Sequence, residues 1–278
     1  MKRILCGLIA LLCAISLCGC FGPLIPEPTV PPASEAPTVP PQTTAPTEPP
    51  QPTEPEPTEP EPTDPEPTEP EHSALYIPGL SVDDVIRYFN EVCLDAEFVN
   101  GGDATLLQKW DAPIVCYLYG DHTEEDFATM MGFFDWLNDV EGFPGIQLTE
   151  EEWNANLRIH FCSENEMADI LGDNFYGMDG GVTFWYDGEN RIYEAIICYR
   201  EDMDQQLSNS VILEEIYNGL GPVQDTSLRE DSIIYAEFSQ PQQLSEIDEL
   251  LLRLLYHPDM KCGMNAAQCE EVIRTLYY

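Results

Sequence analysis

Basic side chains are scarce in this chain: 11 Lys and Arg stand against 51 Asp and Glu, a formal net charge of −40 at pH 7. A balance so one-sided repels phosphate backbones and anionic membrane faces, which argues against nucleic acid as a partner. Histidine is scarcer still, with only His72, His122, His160 and His257, so an imidazole-rich metal centre has few donors to draw on. No Cys-x-x-Cys occurs, which leaves a redox motif or a zinc knuckle without support. A Gly-rich phosphate loop, a nucleophile elbow and Ser/His/Asp spacing are missing too, and with them the signs of nucleotide or acyl-transfer chemistry. The apolar run over residues 4–17 is too short and wrongly flanked for a spanning helix that is kept.

That run has a different meaning. It follows Lys2 and Arg3 and closes on Leu17-Cys18-Gly19-Cys20, where small residues before a cysteine resemble the lipobox of bacterial lipoproteins. The resemblance implies a signal peptide over residues 1–19 and a diacylated Cys20 on the outer face of the plasma membrane. Two acyl chains anchor stably where one binds only marginally. The alternative is an ordinary secretory signal in which Cys20 is incidental.

Proline is concentrated where charge is single-signed. Residues 23–72 hold 19 of the 25 prolines, 11 acidic residues and no Lys or Arg, and from Thr53 they repeat Thr-Glu-Pro-Glu-Pro. Fixed φ angles and like-charge repulsion forbid a packed core, so residues 20–72 are expected to form a lipidated, extended stalk. At roughly 3.1 Å per residue it would reach about 150 Å. Its expected role is distance, with a cation-binding or O-glycosylated stalk as the alternative, since Thr recurs beside Pro.

Residues 73–278 suit a single domain with a sizeable core. Hydrophobic periodicity predicts a helix over 81–95 opened by Ser81 and Asp84, a strand over 113–119, and a helix over 123–140. Strands follow over 156–161, 181–186 and 192–199, the last two joined by a turn at 187–190. Ser210 is expected to cap a helix ending at Leu220 before Gly221-Pro222. Ser245 with Asp248, and Asn265 with Gln268, open two more. The class is α+β, a small mixed sheet with packed helices and a helical C-terminal part. Six cysteines fall in this region. Cys116, Cys162 and Cys198 lie in apolar strand-like runs and read as buried thiols, whereas Cys262 and Cys269 are close in sequence and read as a disulfide pair.

One constellation could carry chemistry. Glu214 and Asn218 share a helix face with Glu215 beside them, and Gln224-Asp225 follows. Residues 212–225, continued by 232–235 and 244–256 and preceded by Phe89-Asn-Glu-Val92, Glu97-Phe98, Lys109-Trp110 and Asn156-Leu157, resemble the family called domain of unknown function 2927. That family in turn resembles a degenerate, zincin-like relative of the metzincin metallopeptidases, whose helix carries His-Glu-x-x-His-x-x-Gly-x-x-His. The resemblance places Glu214, Asn218 and Gln224 at the ligand positions, Glu215 at the general base, Gly221 at the glycine, and Ile234 where a methionine is expected.

One carboxylate and two amides make a poor zinc site, so no metal and no cofactor are expected. Calcium would accept such oxygens, but ligands four apart on one helix supply too few. Two readings stay open beside a plain polar helix edge with acids favouring the helix dipole. The first is a non-catalytic domain binding a peptide or cell-wall partner in the former substrate cleft, which the four tryptophans could line unless they are simply core. The second is an active hydrolase using Glu215 with unusual metal ligation. A purely structural or solute-capturing lipoprotein is a third possibility for which no residue argues directly.

Overall fold

The computed structural model describes residues 73–94, 106–237 and 239–278. The expected signal segment, Cys20 and the stalk lie outside the described residues. The helices are α1 (Val82–Leu94), α2 (Glu124–Asn138), α3 (Glu164–Leu171), α4 (Gln205–Gly219), α5 (Glu246–Tyr256) and α6 (Ala266–Leu276). The strands are β1 (Lys109–Trp110), β2 (Ile114–Tyr119), β3 (Ile146–Leu148), β4 (Leu157–Cys162), β5 (Gly180–Tyr186) and β6 (Arg191–Arg200). The chain thus adopts the α+β class, with three consecutive helices closing it. No helix among the described residues is long and apolar enough to cross a membrane.

The sheet runs β1-β6-β4-β2-β3, all neighbours parallel, while β5 pairs antiparallel with β6. Parallel strands buried on both faces need apolar side chains nearly throughout, and Ile114, Cys116, Leu157, Ile159, Phe161, Ala195, Ile197 and Tyr199 supply one face. The β5–β6 turn is set by Asp187, whose Oδ1 accepts from the backbone N–H of Glu189 at 2.8 Å and of Arg191 at 3.1 Å. Asn190 takes a left-handed φ of 63° there, a conformation asparagine tolerates.

Alternation along β5 assigns its two faces. A Cβ on Gly180 would meet Val211 and Glu215 of α4, whereas one on Gly181 would meet Phe175 and Leu171. The first face belongs to the main core with α4. The second holds a smaller cluster of Cys162, Cys198, Met167, Leu171 and Phe175 under α3.

Three local expectations change. Helix α4 begins at Gln205, capped by Asp204, whose Oδ1 accepts from Leu207 N at 3.1 Å; Ser210 lies inside it and is buried. The polar run Gln205–Asn209 is helical because it docks on α2: Gln205 Nε2 and Ser208 Oγ each donate to Asp126 Oδ1 at 2.7 Å. Strands β1 and β3 and helix α3 come in addition to the predicted elements, α3 opening on a capping box between Ser163 and Glu166. All six domain cysteines are free thiols. The expected Cys262–Cys269 bond is not formed, because Cys269 is buried on α6 while the Cys262 thiol donates to Lys109 O at 3.6 Å.

Candidate functional site

Helix α4 is buried from Ser208 onward, with its cap Leu220, except at Glu214, and its carbonyls are held from several sides. Tyr199 Oη donates to Ile212 O at 3.1 Å, Trp110 Nε1 to Gly219 O at 2.9 Å and Tyr256 Oη to Leu220 O at 2.7 Å. The last two satisfy C-terminal carbonyls that a helix leaves without internal partners. Gly221 then turns the chain away at φ 130°, with Gln108 O only 2.5 Å from where a Cβ would stand. No residue but glycine fits there. Val223 N reaches Val92 O at 2.9 Å, tying the returning loop to the end of α1.

The loop beyond is fixed by Asp248, which is wholly buried and fully used. It accepts from Ser232 Oγ at 2.6 Å, Ile233 N at 3.0 Å, Ser245 N at 2.9 Å and Ser245 Oγ at 2.8 Å. Ile234, at the methionine position of the resemblance, is 1% exposed.

Within this frame Glu214, Glu215 and Asn218 stand together, and the loop brings Asp225 beside them. Glu215 is 3% exposed and Asn218 5% exposed; Glu214 and Asp225 are half-buried. Glu215 Oε2 and Asn218 Oδ1 are buried without a hydrogen-bond partner. Such atoms cost free energy unless something satisfies them. Burial, then the neighbouring Glu214 and Asp225 charges, hold the Glu215 carboxyl well above the usual carboxylate range. Burial and the charge of Asp225 push Glu214 up to about 8, and burial pushes Asp225 up to about 6. Like charges so crowded do not all ionise, and burial favours the neutral form of Glu215.

The reading of these acids as a solvated helix start does not hold. With the helix opening at Gln205, Glu214 and Glu215 sit in its C-terminal half, where the dipole disfavours negative charge. Gln224 is half-buried and makes no hydrogen bond to Glu214, Glu215 or Asn218 among the described residues. The sequence places Asp225 in the constellation without giving it a role, and it does not single out Gly180, whose missing side chain makes room for Glu215. The Gly180-Gly181 pair inside a strand was the available signal, since glycine there marks close backbone approach.

The donor set does not fit a transition metal. Carboxyls that retain protons and an amide oxygen lack imidazole or thiolate. His122, His160 and His257 are placed elsewhere: His160 stacks on Tyr119 with centroids 4.2 Å apart, and His257 follows α5. Among the described residues no group of three or more His, Cys, Asp or Glu is arranged to hold a metal ion. Of the tryptophans, Trp110 is core and Trp153 is 80% exposed.

Comparison with family models matches residues 83–275 to the family described as protein of unknown function (DUF2927). The chain belongs to this family. Its match spans α1 through α6 and so includes every residue of the site. A comparison with curated proteins finds no match.

Proposed function

We propose that this DUF2927 member is a lipid-anchored, extracytoplasmic protein whose domain is a degenerate, zincin-like scaffold. It binds a peptide or cell-wall partner without cleaving it. The anchor at Cys20 and the Pro-rich spacer rest on the sequence pattern alone. The observation that carries the binding reading is the pair of buried, unpartnered oxygens on Glu215 and Asn218 beside the half-buried Glu214 and Asp225. A partner that donates N–H or O–H groups, as peptide amides and sugar hydroxyls do, satisfies both oxygens. A Glu215 whose neutral form is favoured by burial is a poor base for activating water. The zincin-like kinship is supported by the order of the parts: two acids and an amide on one buried helix, then an obligatory glycine, then a returning polar loop.

The raised acid also favours a second reading, since a carboxyl whose protonated form is favoured suits a general acid in hydrolysis. One experiment separates the two. The full chain is purified without chelator, assayed for metal content and peptide cleavage, and tested for binding to wall polymer and to peptide libraries. Glu215→Gln imitates the protonated acid in shape and charge, so binding is expected to persist in it and to fall in Asn218→Leu. Stoichiometric zinc with cleavage abolished by Glu215→Gln overturns the binding reading.

A further inference from the structure

A cavity of about 550 Å³ shares no residue with the α4 site. It lies where the start of β1, the β5–β6 turn and the segment after α5 meet. Its charge is out of keeping with the domain. Residues 73–278 carry 40 acidic and 9 basic side chains, yet Lys109, Arg191 and Lys261 all line this one space, against Asp111 and Glu189.

Lys109 is the unusual member. It is 6% exposed and has no carboxylate within ion-pairing distance among the described residues. Its Nζ donates to Leu255 O at 2.8 Å and Met260 O at 2.7 Å, and the Tyr256 ring lies 5.4 Å away. An ammonium has three N–H donors, so two neutral carbonyls leave one direction to fill. Those carbonyls give Lys109 a structural role in fastening the end of α5, but they do not balance its charge. Burial accordingly lowers it to about 8, a cost that an arriving anion removes. Arg191 is held by Asp187 at 2.8 Å and Glu189 at 3.0 Å, so it shapes the wall, whereas Lys261 is exposed at the mouth.

We propose that this cavity binds a small oxyanion group, a phosphate or a carboxylate, between Lys109 and Lys261. Bound there, the anion takes the third Lys109 N–H and the Lys261 charge, and the acidic surface elsewhere directs it to this opening.

Cys262 lines the same cavity and is the only cysteine among the described residues that is not buried, which makes it the reporter. The full chain is treated with a neutral maleimide, and the labelling rate at Cys262 is followed by peptide mass mapping in inorganic phosphate and in acetate at constant ionic strength. Saturable protection is expected from at least one anion; phosphate alone assigns the site to phosphate, acetate alone to carboxylates, and both to either group. Lys261→Glu, an exposed change that leaves the fold intact, should raise the half-protecting concentration about tenfold. Lys109→Met should abolish protection where it folds. No protection by either anion, or the same midpoint in Lys261→Glu, overturns the proposal.

Discussion

At Gly180 the backbone of β5 runs so near α4 that an added methyl group would lie 2.5 Å from Val211 Cγ1 and 2.9 Å from Glu215 Cγ. Gly180→Ala should therefore overpack the site and cost about 1–3 kcal/mol in denaturant unfolding, whereas Gly188→Ala, with open space around it, serves as the control. The acids themselves give a prediction with a defined sign. Glu214 is pushed up to about 8 in the fold, while an unfolded glutamate titrates near about 4.3. Between those values the unfolded chain has lost a proton that the folded chain keeps, so this contribution to stability declines as pH rises through that window. Glu214→Gln removes the decline. Its stability relative to the parent should rise by on the order of 1 kcal/mol from pH 4 to pH 8 in chemical denaturation, and a flat difference would show that Glu214 is not desolvated. Spacing alone brings Glu214 and Asn218 to one face of a helix in the sequence, with Glu215 beside them. Their burial is not legible, because it depends on a strand glycine, Gly180, far earlier in the chain and on a loop that folds back after Gly221.

Among the elements, the α2–α4 pair shows where local patterning succeeds and where it stops. Thr123 and Asp126 form a capping box at the start of α2, and the same Asp126 receives Ser208 and Gln205 from α4. The first turn of α4 is polar apart from Leu207, so periodicity places its beginning at Ser210, just before the continuous apolar run. Only the facing polar edge of α2 explains the extra turn. The capped starts of α5 and α6, which depend on residues three apart, were readable from sequence, whereas β3 is too short to carry a period. Burial raises Asp126, but the backbone N–H of Thr123 and the side chains of Ser208, Thr123 and Gln205 outweigh it and hold the carboxyl below its usual range. Its contribution is therefore present above the unfolded value of about 3.9 and lost as pH falls through the lower folded value. Asp126→Ala should cost about 2–4 kcal/mol at pH 6, from a lost cap and two stranded donors. The penalty should shrink on acidification towards pH 3, the opposite trend to that expected for Glu214.

For the whole molecule, charge decides. The domain carries 40 acidic and 9 basic residues, and its ion pairs are mostly surface pairs such as Arg274 with Asp83 at 2.6 Å, each worth little in water. Salt weakens those pairs, but it also screens repulsion among a much larger number of unpaired carboxylates, so the second effect should dominate. Raising NaCl from low concentration to about 0.5 M should thus stabilise the full chain by on the order of 1–2 kcal/mol, read as a higher melting temperature. The identity of the cation then tests the α4 site. If Glu215 keeps its proton and Glu214 and Asp225 provide no cage, calcium chloride should stabilise no more than sodium chloride at the same ionic strength. A saturable excess stabilisation by calcium that disappears in Glu214→Gln would instead mean that the crowded carboxyls release their protons to hold a hard cation, with that cation taking the place assigned here to a hydrogen-bonding partner.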